Sequence, residues 1–164
     1  MENLFEFIAL FLFYSLFAFS ILVAIMGLIN LIFIKKPILY DQNKNSSLVS
    51  VLIPARNEEV NIKRCIYSLI DQSYKNLEII VLDDDSSDQT FEIANELSQK
   101  FPSISVVKGE KKSKGWTGKN WACYQLSNYA KGDFLLFIDA DTKLQKNTIA
   151  ESISGMNNKD IDLI

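Results

Sequence analysis

The chain has no histidine among its 164 residues. That excludes a Ser-His-Asp triad, histidine-ligated zinc and an imidazole general base. Cysteine is scarce as well. Cys65 and Cys123 are the only two. They lie far apart, each in a stretch with amphipathic helical spacing, and read as buried free thiols rather than a disulfide or a metal set. No Lys or Arg occurs before Lys35. The net charge of −3 gives no electrostatic reason to expect nucleic acid as a partner. No internal repeat or long low-complexity segment is present.

What is plentiful at the start is apolar sequence. Leu4 to Ile34 carries a single charge, Glu6. About 20 apolar residues span a bilayer, so residues 4–34 are expected to form one transmembrane anchor. A cleaved signal peptide fits less well. The run is roughly twice the usual signal length, Glu2 rather than a basic residue precedes it, and no small-x-small cleavage site follows. Lys35, Lys36 and Lys44 come after it, and the positive-inside rule then puts the rest of the chain in the cytoplasm. Residues 35–47 read as a polar linker, leaving 48–164 for about one domain. A second basic cluster, Lys108, Lys111, Lys112 and Lys114, is either a solvated loop or one that approaches anionic phosphates or lipid head groups.

From Leu48 onward, short apolar runs alternate with amphipathic stretches. Leu48–Pro54, Leu77–Leu82, Ile104–Lys108 and Phe134–Ile138 read as strands, with the start of another at Ile161–Ile164. Glu59–Ser73 places Ile62, Cys65, Ile66, Leu69 and Ile70 at helical spacing. Thr90–Lys100 with Ser87 as N-cap, Lys119–Ala130 and Thr148–Met156 complete the helices. Strands alternating with helices imply βαβ units: an α/β fold with a mostly parallel sheet and helices on both faces, a Rossmann-like half preceded by the anchor. The second and fourth strands are continuous apolar runs, as expected where both faces are covered.

In such sheets ligands bind outside the carboxyl ends of the strands. Three polar clusters fall there: Pro54-Ala-Arg56-Asn57-Glu58-Glu59, Asp83-Asp84-Asp85-Ser86-Ser87-Asp88 and Asp139-Ala-Asp141. Asp139 and Asp141, two apart on an extended segment, share one side of the backbone. Hard oxygen ligands of this kind hold Mg²⁺ or Mn²⁺ against a diphosphate. Asp84 can accept hydrogen bonds from a nucleobase N–H or ribose hydroxyls, and Arg56 can pair with phosphate. Glu58 and Glu59 either serve the site or simply favour the dipole at the start of the first helix. In Gly115-Trp116-Thr117-Gly118-Lys119-Asn120 the glycines allow close backbone approach, and Lys119 can reach phosphate. The glycine spacing and the Asn after Lys exclude an NTPase phosphate-binding loop. Trp116, flanked by glycine, is the tryptophan expected to touch a ligand.

Taken together, VSVLIPARNEE, LEIIVLDDDSSDQT, GWTGKNWA and GDFLLFIDADT, in that order, resemble family 2 glycosyltransferases over roughly Leu48 to Ile164. The resemblance implies a nucleotide-sugar-binding fold, inverting transfer from a nucleotide-diphosphate sugar, usually UDP-linked, and Mg²⁺ or Mn²⁺. It implies that Asp84 contacts the base, that Pro54, Arg56 and Glu58 line the nucleotide pocket, and that Lys119 lies near the donor. Asp139 and Asp141 would be the D-x-D pair, with Asp141 the direct metal ligand. GWTGKNWA on an anchored chain is similar to members acting on carotenoids or associated with hopanoids, so the acceptor is expected to be lipid-like and membrane-associated. In this family the general base lies after the D-x-D strand, in the acceptor-binding half. It is therefore expected beyond Ile164, with the present chain the donor-binding part of a longer enzyme. Two other readings stand beside this one. One is a non-catalytic, membrane-anchored nucleotide-sugar-binding module or inactive fragment. The other is a haloacid-dehalogenase-type phosphatase, which Lys143 at the position of the usual Thr or Val disfavours.

Overall fold

The chain divides into two units, Met1–Pro37 and Ile38–Ile164, and the computed structural model describes residues 2–33 of the first and 47–157 of the second. Lys35, Lys36 and Lys44, most of the expected linker, and the expected strand at Ile161–Ile164 lie outside the described residues.

In the first unit, Glu2–Phe33 forms one helix, α1. At about 1.5 Å per residue it is longer than the roughly 30 Å hydrocarbon core of a bilayer. Asn3–Ile32 has a mean hydropathy of 2.6 in its most apolar window, and none of that window is buried. This is the one helix among the described residues long and apolar enough to cross a membrane. Its two serine hydroxyls are satisfied internally: Ser15 Oγ donates to Leu12 O and Ser20 Oγ to Phe17 O. A helix facing hydrocarbon needs that, because an unpaired polar group there is costly.

In the second unit the strands are β1 (Val49–Ala55), β2 (Leu77–Asp83), β3 (Ile104–Lys108) and β4 (Phe134–Phe137). The helices are α2 (Ile62–Ile70), α3 (Thr90–Lys100), α4 (Gly118–Tyr129) and α5 (Thr148–Asn157). The strands form one parallel sheet in the order β3-β2-β1-β4. This is the α/β arrangement expected, with β3 and α3 at the expected bounds and the other elements shifted by at most three residues.

Alternation along β1 and β2 divides the core into two layers. Val49, Val51, Ile53, Ala55, Ile79 and Val81 face one side, where Cys65, Ile66 and Leu69 of α2, Ala94 and Leu97 of α3 and Ile149, Ala150 and Ile153 of α5 cover them. Leu52, Ile80 and Leu82 face the other, under Ala122 and Leu126 of α4. Helices therefore cover both faces of β1 and β2, whose apolar runs are continuous for that reason.

β4 departs from the expectation. Phe134, Leu136 and Ile138 pack on the first layer, but Leu135 and Phe137 are 46% and 45% exposed. β4 is an edge strand among the described residues, and α4 lies over β1 and β2 instead. The apolar run that suggested two covered faces has only one covered here.

The start of β4 is clamped to β1. Phe134 N donates to Leu48 O and Leu48 N to an Asp133 carboxylate oxygen. Buried Ser50 bridges the strands beneath: its hydroxyl accepts from Gly132 N and donates to Glu78, which also accepts from Lys131 N.

Candidate functional site

In a parallel sheet of order β3-β2-β1-β4 the order of strand addition reverses between β1 and β4, and a crevice forms outside the strand ends at such a point. A cavity of about 350 Å³ lies there. Pro54, Arg56, Glu58, Asp84, Lys119, Asp139 and Asp141 all line it, together with Ala55, Gly118, Ala122 and Ala140. These seven residues come from four segments separated by up to 87 positions, and parallel pairing brings their carriers to one edge. α4 joins them through its N-terminus: Gly118 and Lys119 open the helix, and no side chain caps it. Its first N–H groups are thus free to meet an anion.

The charges in the cavity are partly paired. Lys119 Nζ lies 2.7 Å from Asp139 Oδ1, both side chains more than half exposed. The Asp139 hydrogen bond and negative charge hold the ammonium above its usual pKa. Arg56 Nη1 is 4.0 Å from Asp84 Oδ2, a loose pair that a bound anion can redirect. The Asp141 carboxylate takes no hydrogen bond or ion pair from the described residues, while its main-chain oxygen accepts from Arg64 Nη2 at 3.2 Å.

Asp139 and Asp141 reach the same cavity by a different route from the expected one. β4 ends at Phe137, and Thr142 N donates to Asp139 O at 3.0 Å, closing a turn. That turn, rather than strand alternation, brings the two carboxylates to one side. Among the described residues no group of three or more His, Cys, Asp or Glu converges as a ready-made ion cage. The pair supplies hard oxygen donors, one of them uncommitted. That set suits a divalent ion whose other ligands come from a diphosphate and water.

Of the two roles open to Glu58 and Glu59, the helix-dipole one is not found, while Glu58 lines the first cavity. α2 begins only at Ile62, after Asn61, with no acidic residue in its first turn. Glu58 instead accepts from Asn61 Nδ2, and Glu59 from Gln89 N. The loops after β1 and β2 are laced together here. Asn57 N donates to Ser86 Oγ, Ser87 N to Asn57 Oδ1, Glu58 N to Thr90 Oγ1 and Glu59 N to Asp88 Oδ2. Ser87 is therefore committed to Asn57 and does not cap α3. Asp88 serves that end by accepting from Thr90 N at 3.0 Å. Burial raises the Asp88 pKa, but the Thr90 and Glu59 hydrogen bonds outweigh it and leave the carboxyl below its ordinary value. Asn57 and Asp85 both sit in the left-handed region, at φ 55° and 59°. The lacing holds that backbone in place.

A second cavity, of about 510 Å³, shares Arg56 and Asp84 with the first and adds Asp83, Asp85, Ser86, Lys108, Gly109, Glu110, Lys111 and Lys112. Asp83 has no role in the sequence reading. It is buried, and its Oδ1 has no hydrogen-bond partner. An orphaned buried carboxylate oxygen at a cavity wall is suited to a ligand's N–H or O–H. Its place as the last residue of an apolar strand was the available signal, masked by the two aspartates that follow it.

Cys65 is buried and Cys123 half-buried, so the buried-thiol expectation holds fully only for Cys65. Burial, with the Asp141 charge adding, pushes the Cys65 thiol up to about 11. It is protonated at neutral pH and unsuited to nucleophilic chemistry.

Comparison with known proteins places the fold in a family. The 4,4'-diaponeurosporenoate glycosyltransferase of Staphylococcus haemolyticus is 38% identical over 112 residues, which are 68% of this chain and 29% of that protein. The dolichol-phosphate mannosyltransferase of Pyrococcus furiosus is 37% identical over 67% of this chain and 30% of its own length. The chain thus spans about 30% of these relatives. Among solved structures, TarS 1-349 of S. aureus in complex with UDP superposes with a TM-score of 0.55 at 31% identity, over 68% of this chain and 32% of that one. The mannosyltransferase PcManGT of Pyrobaculum calidifontis, in complex with GDP-Man and Mn2+, shares the fold, with a TM-score of 0.62 at 24% identity over 74% of this chain and 36% of its own. The profile of the family described as Glycosyl transferase family 2 matches residues 50–164. The chain belongs to glycosyl transferase family 2.

Proposed function

We propose that the second unit binds a nucleotide-diphosphate sugar, UDP-linked by the resemblance of its motifs, as donor for inverting transfer to a lipid-like acceptor. The observation that carries this reading is the convergence of the seven residues on one cavity at the strand-order reversal. The nucleoside end is assigned to the cavity walled by Asp83, Asp84 and Asp85, where carboxylates accept from base N–H and ribose hydroxyls. The diphosphate is assigned to the space between Arg56, Lys119 and the N-terminus of α4.

Asp139 and Asp141 would hold Mg²⁺ or Mn²⁺, Asp141 directly. A divalent ion there supplies charge neutralisation of the departing diphosphate. Lys119 pairs with Asp139 before the donor arrives and turns toward the phosphate oxygens afterwards. Transfer also requires a base for the acceptor hydroxyl, and none of the seven residues is assigned that role. A binding module without catalysis is the second reading, in keeping with seven cavity residues that are all assigned to holding the donor.

Calorimetric titration of the full chain with UDP separates these from an unrelated function. Saturable binding in Mn²⁺ that weakens sharply in EDTA is expected, and absence of binding in both would sink the proposal. Release of UDP from a labelled UDP-sugar distinguishes enzyme from module.

We further propose that α1 anchors the chain as a single membrane span, supported by its length and apolar composition, with the second unit on the cytoplasmic side, supported by the lysines that follow it. In sealed inside-out vesicles added protease should then digest the second unit. Protection there, with digestion in right-side-out vesicles, would reverse the orientation.

A further inference from the structure

The loop Gly109–Thr117 lines the second cavity through Gly109–Lys112, but its tip and the outer side of α4 carry a surface that lines neither cavity. Trp116, Trp121 and Tyr124 form a three-ring cluster, with centroids 5.1–5.6 Å apart. Trp116 is 39% and Tyr124 47% exposed. The cluster is built into the fold. Gly115, at φ +88°, turns the chain so that Trp116 N meets Ser113 O. Lys112 Nζ donates to Trp116 O and Trp121 Nε1 to Glu110 O. Exposed Lys111, Lys112 and Lys114 flank the rings, with Glu110 the one acid between Lys108 and Trp116.

Rigid, half-exposed Trp and Tyr rings with polar edges are the side chains that settle at the head-group level of a bilayer. Lysines beside them are drawn to anionic lipid. The clustering matters because the whole chain is acidic, with a net charge of −3. Lys111, Lys112 and Lys114 put three of the chain's 17 basic residues within four positions beside the rings.

We propose that the Lys111–Trp116 loop and the Tyr124 side of α4 form a docking surface for an anionic bilayer, with Trp116 inserted at the interface and Lys111 and Lys114 against lipid head groups. Because Lys111 also lines the second cavity, docking would bring that cavity's rim to the membrane surface. The proposal does not depend on the donor reading.

The chain's only tryptophans are Trp116 and Trp121, so its intrinsic fluorescence reports this cluster directly. Sedimentation with vesicles would not isolate the loop, since α1 is itself apolar. The test therefore uses the full chain in vesicles of phosphatidylcholine with or without phosphatidylglycerol, the acyl chains brominated near the head group.

Emission should be quenched in the anionic vesicles, and Trp116→Phe should remove most of the quenching. The double variant Lys111→Gln/Lys114→Gln should shift the docked–undocked balance by about 30-fold toward undocked. Raising salt from about 0.05 to 0.5 M should act in the same direction on the unsubstituted chain, which keeps the test valid if the variant misfolds. Unquenched emission would overturn the proposal and leave the surface to a protein partner. Quenching indifferent to anionic lipid and to salt would overturn it too.

Discussion

Asp141→Ala is expected to weaken UDP binding in Mn²⁺ by about 100-fold or more, the scale on which metal-site groups act, and to leave binding in EDTA unchanged. Fold stability should stay near that of the unsubstituted chain. The structure supports this separation of effects. The Asp141 side chain is exposed and takes no hydrogen bond from the described residues, and the one contact to this residue, from Arg64, goes to its main-chain oxygen. Truncating the side chain removes a donor oxygen from the cavity and little else. Asp139→Ala is a less clean experiment, since it also frees Lys119 from its 2.7 Å partner and leaves a cation that can hold phosphate without metal. Calorimetry with UDP in Mn²⁺ and in EDTA, beside a urea melt, reads both quantities. Equal affinities for the two proteins in Mn²⁺ would remove Asp141 from the proposed metal site.

The largest expected effect on stability is at Gly132. A methyl group there would lie 2.6 Å from both Ser50 N and Ser50 Oγ and 2.7 Å from Leu48 O. Two of those three atoms are backbone of β1 or its approach, so no side-chain rotation relieves the contact. β4 has to move away from β1, and the Ser50–Glu78–Lys131 bridge opens with it. Gly132→Ala should cost about 3 kcal/mol, the upper range for overpacking, and lower the urea midpoint by roughly 1–2 M. Gly118→Ala is the control. Its added Cβ would make an ordinary contact, 3.5 Å from Asp84 Oδ2. An unchanged midpoint for Gly132→Ala would show that the β1–β4 approach is looser than the structure has it. Because Asp139 lies only two residues beyond the end of β4, a displaced strand should also weaken nucleotide binding.

Much of the fold is legible in the sequence because it rests on short-range periodicity. β2 is readable from Leu77–Leu82 and α3 from Thr90–Lys100, since apolar residues recur at the spacing of the element that buries them. The D-x-D, DDD and ARNEE segments are readable as strand-end clusters for the same reason. Local pattern fails where the partner is distant. Ser87 looks like a cap, yet its N–H and hydroxyl go to Asn57, thirty residues earlier, and Asp88 takes the α3 position. Glu58 and Glu59 look like helix-start acids, yet one is held by Asn61 and the other by Gln89. Asp83 is hidden among three aspartates, and only burial separates it from the others.

By itself, the sequence determined the class of protein: parallel α/β after an apolar helix, without imidazole chemistry, and with carboxylates at three strand ends. Those follow from composition and from the repeat of each element, which are local properties of the chain. Only the tertiary structure decided that β4 is an edge strand among the described residues, with Leu135 and Phe137 exposed. It alone decided that a turn rather than strand alternation aligns Asp139 with Asp141, and that Lys119 meets Asp139 across the cavity. Each of these depends on which strand lies beside which. Strand order is set by packing between residues tens of positions apart, and no periodicity within a single segment records it.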